Sequence, residues 1–481
     1  MLKIIFTKLI CCDIIYVVFL KMKHTTERGI FMKMVYNVED KPKFGQMIVF
    51  AFQQLLAILA ATIAVPMIIG NGMSVAAALF GAGIGTLIYV LFTKAKSPVF
   101  LGSSFAFLGS MGAAFAGAVS AQAGFAGLII GAVLAGVVYV IIALIVKFAG
   151  VNWLNKLMPP VVIGPTVAII GLSLAGNAIG DLQKADVEGG SVYAALICGL
   201  ITLIVVTVCS TYGKKMAKLI PFIIGIVAGY ATATIFTVIG IVTENPALMI
   251  INFEPIKALW ADGVTISTFI SVPEFTFLTA IKGVKDIDGA YIGTIAAAYI
   301  PVAFVVFAEH VADHKNISSI IERDLLNKPG LHRTLLGDGV GSMVGAIFGG
   351  CPNTTYGESV ACVAITRNAS VITILCTAIM AIIVSFVSPI IAFLDSIPAC
   401  VMGGVCMSLY GFIAVSGLKM LQPVNLNQNR NLFVASVILI AGIGGLSLTF
   451  GKVTITTIAT ALILGILVNI ILSGKKADTE E

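Results

Sequence analysis

Two glutamates, Glu309 and Glu358, fall in stretches that are otherwise apolar enough to cross hydrocarbon. Glu309 lies in Ala308-Glu309-His310-Val311-Ala312-Asp313, at the end of a long apolar run. Glu358 ends Pro352-Asn353-Thr354-Thr355-Tyr356-Gly357-Glu358, between two more such runs. A carboxylate at the centre of a transmembrane helix costs about 2.5–3.5 kcal/mol, so a chain carrying two of them needs a use for them. Asp313 stands one helical turn after Glu309, on the same face. Two carboxylates that close in a low-dielectric interior do not both ionise, so one of them is expected to carry a proton.

The elements that must hold these acids are membrane helices. The chain has 481 residues, 59% hydrophobic and only 11% charged, where soluble domains run near 25% charged. Apolar runs of roughly 20 residues separated by short polar breaks make an α-helical bundle, since a β-barrel would show alternating ten-residue segments. The 49 glycines fit close helix packing and broken helices in lipid. The formal charge of +6 reflects basic loops rather than nucleic-acid binding. The nine cysteines show no paired metal spacing. Cys198, Cys209, Cys362, Cys376, Cys400 and Cys406 read as small apolar fillers in or beside spans. No HExxH or GxSxG motif is present, so neither an enzyme nor a cofactor is expected.

Spans are predicted at 46–70, 74–93, 99–118, 123–147, 157–176, 189–209, 217–243, 288–314, 331–351, 353–367, 369–393, 397–416, 431–449 and 454–473. Basic residues of short loops gather on the side of the N-terminus: Lys94, Lys96, Lys147, Lys156, Lys214, Lys215, Lys218, Lys315, Arg323, Lys328, Arg333, Arg367, Lys419, Arg430, Lys475 and Lys476. The opposite loops carry Asp181, Asp186, Glu188, Glu244, Glu254 and Asp262, so both termini are expected to be cytoplasmic. The segment 244–287 is expected outside, with a short surface helix, and Asn316 to Leu326 reads as an amphipathic helix, a plain connecting one in preference to an interfacial one. Residues 1–33 look foreign to the rest: Asp13 interrupts their apolar stretch, and no small-residue cleavage site follows. Cys11-Cys12 is read as unremarkable. Translation is expected to start near Met34, and a peptide from residues 4–21 in natively expressed protein would contradict this.

Two crossings are abnormal. Between Pro352 and Arg367 an α-helix is too short to span, but five extended residues at ~3.3 Å and ten helical ones at ~1.5 Å reach about 30 Å. Phe100 to Ala106, followed by Leu108 to Ala118, reads the same way. Breaks in segments 3 and 10 of a 14-segment all-α protein, seven apart, predict a 7+7 inverted repeat with short extended strands at the breaks. Each half-helix starting in mid-membrane presents unpaired N–H groups and a positive dipole end. With Glu309 and Glu358 as acceptors and Phe105 and Tyr356 as flat walls, the pocket would take a planar ring of alternating N–H and C=O groups, the pattern of uracil.

Other polar residues have blander readings. His310 and His314 could flank the acids, yet a histidine at a helix end is ordinarily a surface residue. Gln53 and Gln54 read as helix–helix hydrogen bonds. Asp338 reads either as a proton relay or as a structural partner of a backbone or hydroxyl group, and Arg367 as a charge anchor.

Together the blocks Phe100–Phe107, Ala308–Val311, Pro329-Gly330-Leu331-His332-Arg333, Pro352–Glu358 and Val401-Met402-Gly403-Gly404 resemble the nucleobase–ascorbate transporter family, its uracil permeases in particular, from about Phe44 to Gly474. The resemblance implies core domains at 46–147 and 288–393, gate domains at 148–243 and 394–473, an external loop at 244–287, and cytoplasmic tails at 1–45 and 474–481. It implies uracil bound by Glu309 and Glu358 with the backbone amides of Phe105 and Gly357, and Ala61, Tyr356 and Tyr410 around the ring. It further implies uptake with protons (or Na+ in their place) through Glu309 and Asp313, a homodimer, and a multi-pass place in the plasma (inner) membrane. Two departures stand out. A bacterial member has histidine where Asp313 stands, an acid there being found in purine transporters. The usual Asn-any-Gly after the second acid is here Ser359-Val360-Ala361. Purine members usually carry glutamine where Glu358 stands, which favours uracil. The competing readings are a xanthine or urate symporter on the same fold and an anion transporter of the sulfate and bicarbonate architecture, whose substrates two buried acids would repel.

Overall fold

The computed structural model describes residues 34–150, 157–214, 216–261, 263–450 and 453–473. The expectations for residues 1–33, and for Lys156, Lys215, Asp262, Lys475 and Lys476, lie outside the described residues. Contacts divide the chain into Met1–Val35 and Tyr36–Glu481, and the helical body belongs to the second unit.

Among the described residues, eight helices are long and apolar enough to cross a membrane. They are α1 (Phe44–Ile69), α2 (Val75–Phe92), α4 (Ala121–Ala149), the pair α5 (Pro160–Ser173) and α6 (Ala175–Leu182) counted as one, α7 (Val192–Tyr212), α8 (Pro221–Val242), α9 (Gly289–Ile321) and α13 (Ala399–Met420). Five shorter apolar helical pieces join them: Phe105–Ala116, which contains α3 (Leu108–Ala116), then α11 (Gly357–Thr366), α12 (Val371–Ser385), α14 (Asn429–Ile443) and α15 (Thr457–Ser473). α10 (Leu331–Gly349) is richer in glycine and polar residues, and the reason is its packing. It lies against α2 backbone to backbone: a Cβ on Gly81 would come 2.4 Å from the Gly345 carbonyl oxygen, and one on Gly341 would come 2.7 Å from that of Gly85. Small residues that let helices touch replace the hydrophobic driving force that lipid cannot supply.

Gly345 also makes room for Asn353, whose Nδ2 donates to the Gly81 carbonyl at 2.9 Å. A Cβ on Gly345 would sit 2.0 Å from that nitrogen. Gly345→Ala is therefore expected to destabilise the protein by about 1–3 kcal/mol, as overpacking does. A lowered melting temperature in detergent checks this, and an unchanged melt would show that the contact is slack.

Two short antiparallel ribbons interrupt the helices. In the first, β1 (Leu101–Ser103) pairs with β2 (Asn353–Thr355), Leu101 opposite Thr355 and Ser103 opposite Asn353. The second, β3 (Leu448–Phe450) with β4 (Val453–Ile455), stands between α14 and α15. That hairpin corrects the helical readings of 431–449 and 454–473 at their adjoining ends. A second correction concerns Asn316 to Leu326. Its first residues are the last turns of α9, because Ile317 and Ile321 stay buried and nothing breaks the helix before Glu322 adopts left-handed backbone. The described residues of segment 244–287 include three short α-helices, at Glu254–Ala258, Ile266–Phe269 and Thr276–Gly283.

The chain before α1 is strapped to the turn between α11 and α12. Ala369 and Val371 donate their N–H groups to the carbonyls of Tyr36 (2.9 Å) and Val38 (3.1 Å), and Ser370 Oγ donates to that of Asp40 at 2.6 Å. Arg323, just past α9, donates to both oxygens of Glu39 at 2.5 and 2.6 Å, and its guanidinium holds the Glu39 carboxyl below the ordinary carboxylate range. The pair is exposed, so it contributes about 0–1 kcal/mol.

Candidate binding site

The two breaks meet each other. Besides the β1–β2 pairing, Ser104 N–H donates to the Pro352 carbonyl at 2.9 Å and Tyr356 N–H to that of Phe100 at 3.2 Å. Side chains from neighbouring helices satisfy two more groups of this irregular backbone, as an apolar surround favours. Thr86 Oγ1 of α2 accepts from Leu101 N–H at 2.9 Å. Ser359 Oγ accepts from Phe100 N–H at 3.0 Å and from Gln54 Nε2 at 2.6 Å, so Gln54 links α1 to α11. Gln53, by contrast, donates from Nε2 to the Met216 sulfur, at 3.1 Å. Tyr356 packs its ring against Gly102, where a Cβ would meet it at 2.3 Å, and its hydroxyl donates to the Ser103 carbonyl at 2.7 Å.

A cavity of about 460 Å³ opens beside the ribbon. Glu309, Asp313, Glu358, Gly357, Tyr356 and Phe105 all line it. The three acids come from two elements: α9 supplies Glu309 and Asp313 from one face, and Glu358 opens α11. Each is half-buried, exposed only as far as the cavity allows. Thr355 Oγ1 donates to Asp313 Oδ2 at 2.9 Å, tying the ribbon to α9. Phe105 and Gly357 occupy the first positions of their helical segments, where an amide N–H has no acceptor within its own helix. The site therefore offers amide donors and carboxylate acceptors around one void. The opposite wall is aliphatic and aromatic, from Val167 and Ile170 of α5 and from Leu409, Phe412, Ile413 and Ser416 of α13.

Ala61 and Tyr410 are not on the cavity wall. Ala57 reaches it, and Ala61, one turn further along α1, is buried in the core. On α13 the facing stripe is Leu409, Phe412, Ile413 and Ser416. Tyr410 points about 100° away from Leu409. It is buried edge-on to Phe105, with ring centroids 6.0 Å apart.

His310 and His314 correct the surface reading: α9 continues past them and both are fully buried. His310 Nδ1 meets Asp338 Oδ2 at 2.7 Å and its Nε2 meets the Thr334 hydroxyl at 2.9 Å. Asp338 is itself fully buried and does not line the cavity. His314 Nδ1 can only donate to the His310 carbonyl, at 2.8 Å, which leaves Nε2 as an acceptor facing the Tyr89 hydroxyl at 2.7 Å and the Ser97 hydroxyl at 3.4 Å. The two imidazoles stack with centroids 4.0 Å apart. A polar string thus runs from behind Glu309 towards Tyr89 and Ser97.

Thr355, Thr86 and Ser359 escaped the sequence reading. Ser359 alone carried a signal, as the residue standing where the related signature has asparagine.

Comparison with known proteins agrees with this architecture. A family model described as "Permease family", for xanthine and uracil permeases, matches residues 45–451. The uracil permease of Bacillus caldolyticus is 40% identical over 451 residues, 93% of this chain and 97% of that one. That of Bacillus subtilis (strain 168) is 38% identical, covering 93% and 98%, and that of Escherichia coli (strain K12) is 36% identical, covering 89% and 92%. Among solved structures, the transmembrane domain of a cyanobacterial bicarbonate transporter shares the fold at TM-score 0.59 and 17% identity, over 91% of this chain and 100% of that one. Murine Solute Carrier 26 family member A9, an anion transporter in the inward-facing state, shares it at TM-score 0.61 and 11% identity, over 90% and 69%. The chain is a multi-pass membrane transporter that belongs to this permease family, the nucleobase–ascorbate transporters.

Proposed function

We propose that the protein is a uracil importer driven by protons. The observation that carries this reading is the convergence of Glu309, Asp313 and Glu358 with two helix starts on one cavity. A uracil ring presents adjacent N–H and C=O groups in one plane. Its N–H groups would donate to Glu309 and Glu358, and its carbonyl oxygens would accept from the amides of Phe105 and Gly357. A carboxylate site holds such N–H groups strongly, because hydrogen bonds to an ionised acceptor are about twice as strong as neutral ones. It also disfavours anions, so the likeness to anion transporters extends to the fold alone. Three relatives at 36–40% identity that bear the name uracil permease support the same substrate.

The reading places fourteen crossings in a 7+7 inverted repeat, with segments 3 and 10 broken at β1 and β2. Spans 1–4 and 8–11 (46–147 and 288–393) form the core that carries the acids. Spans 5–7 and 12–14 (148–243 and 394–473) form the gate, which supplies the aliphatic wall. The cavity reaches Ser210, Lys218 and Met420, near loops whose basic residues mark the cytoplasmic side, so the conformation faces inward. Both termini are then cytoplasmic, in a plasma membrane, and the gate domains would pair two copies. Glu309 and Asp313 carry the coupled proton, and Asp338 with His310 forms the relay behind them.

Competition for uptake in proteoliposomes tests the substrate. Labelled uracil uptake should fall in the presence of excess unlabelled uracil and be little affected by xanthine or sulfate. Uptake blocked by xanthine and indifferent to uracil would move the assignment to a purine.

A further inference from the structure

A second cavity, of about 620 Å³, lies on the other side of Ala312 and Met420, the two residues it shares with the first. Its walls come from α4, α5, α9, α10 and the turn before α10, and it is lined in two parts. Met158, Ile163, Phe307 and Val311 make an aliphatic and aromatic interior. Lys147, Lys315 and His332 stand around it, and none of its described lining residues is an aspartate or glutamate. Lys147 ends α4, with its ammonium 5.2 Å from the Phe148 ring centroid. Neither Lys147 nor Lys315 pairs with a carboxylate among the described residues.

We propose that this cavity binds an anionic phospholipid, with the headgroup phosphate on Lys147 and Lys315 and an acyl chain against Ile163, Phe307 and Val311. The chemistry discriminates between occupants. A soluble anion would use the lysines and leave the apolar interior unfilled, whereas a neutral lipid would fill the interior and leave the cations unanswered. An anionic amphiphile satisfies both. Its place also fits: α4 ends, and α10 begins, on the side whose basic loops mark the cytoplasmic leaflet, where anionic headgroups attract lysines. Because α5 and α9 line both cavities, the lipid would sit against elements that also border the binding site.

Native mass spectrometry of delipidated, full-length protein titrated with phosphatidylglycerol tests this, with phosphatidylcholine in parallel. Phosphatidylglycerol is expected to bind in preference, and Lys147→Ala/Lys315→Ala should weaken it about 30-fold, the loss of two lysine–headgroup attractions. Lys94→Ala/Lys96→Ala, which removes two other basic residues on the same side, should leave it unchanged. Ile163→Trp, which fills the apolar interior, should weaken binding without removing charge. Equal lipid affinity in the wild type and the Lys147/Lys315 variant would overturn the proposal, as would full affinity in Ile163→Trp. Displacement of the lipid by glycerol phosphate at equal concentration would assign the site to a soluble anion instead.

Discussion

Glu358→Gln should weaken uracil binding about 100-fold. Glu358 is the second residue of α11 and lines the cavity beside the free amide of Gly357. Glutamine preserves the shape but lowers the acceptor strength, and in one of its two orientations it turns an NH₂ towards a ring N–H. A hydrogen bond to a charged acceptor is worth about 1.5–3 kcal/mol, and a donor left facing a donor adds its own desolvation cost. Each 1.4 kcal/mol is tenfold in affinity, so the two effects reach roughly two decades. The fold should tolerate the change, because the hydrogen bonds that hold the ribbon come from Thr86, Ser359 and Asn353. The only structural loss is the attraction of the acid for its own helix start, about 0.3–1 kcal/mol. Equilibrium binding of labelled uracil to purified protein checks this, alongside a melting curve. Unchanged affinity in a normally melting variant would mean that the ring binds elsewhere.

Asp313→Asn should separate binding from coupling. Asparagine can still accept from Thr355 Oγ1 through its own oxygen, so the link between α9 and the ribbon survives. What disappears is a group that exchanges a proton one turn from Glu309. Uracil affinity is expected to stay within about threefold, or about 0.7 kcal/mol, since Asp313 is not assigned to the ring and its link to Thr355 is kept. Concentrative uptake under an inward proton gradient should fall at least tenfold, while exchange of labelled for unlabelled uracil continues. Proteoliposome flux measured in both modes distinguishes these outcomes. Full gradient-driven uptake in the variant would remove Asp313 from the proton path.

Much of the site could be read along the chain because its signals are local. A polar, glycine-bearing stretch too short to span as a helix announced the break at Asn353–Thr355, and the four-residue spacing of Glu309 and Asp313 put both on one face. Partnerships between distant segments left no such trace. Nothing in Leu101 or Thr355 announces that they face each other across β1 and β2, nor in His310 that Asp338 stands 2.7 Å from its ring. Helix phase was the other weak point. Tyr410 and Leu409 are adjacent in sequence, yet only Leu409 faces the cavity, because the packing of α13 against α5 decides the rotation. The burial of His310 and His314 is hidden in the sequence for a related reason. Their setting depends on where α9 stops, and burial of Ile317 and Ile321 carries it to Ile321. The β3–β4 hairpin sits inside apolar sequence whose composition suits a helix equally well.

On the proposed function, three acids around one cavity move uracil together with a proton. This coupling is tested most directly by the uptake of labelled uracil into proteoliposomes buffered more acid outside than inside, with and without a protonophore. Transient accumulation above the external concentration, collapsing to equilibrium when the protonophore is added, is expected. Accumulation unaffected by the protonophore, or uracil uptake no faster than in protein-free vesicles, would contradict it.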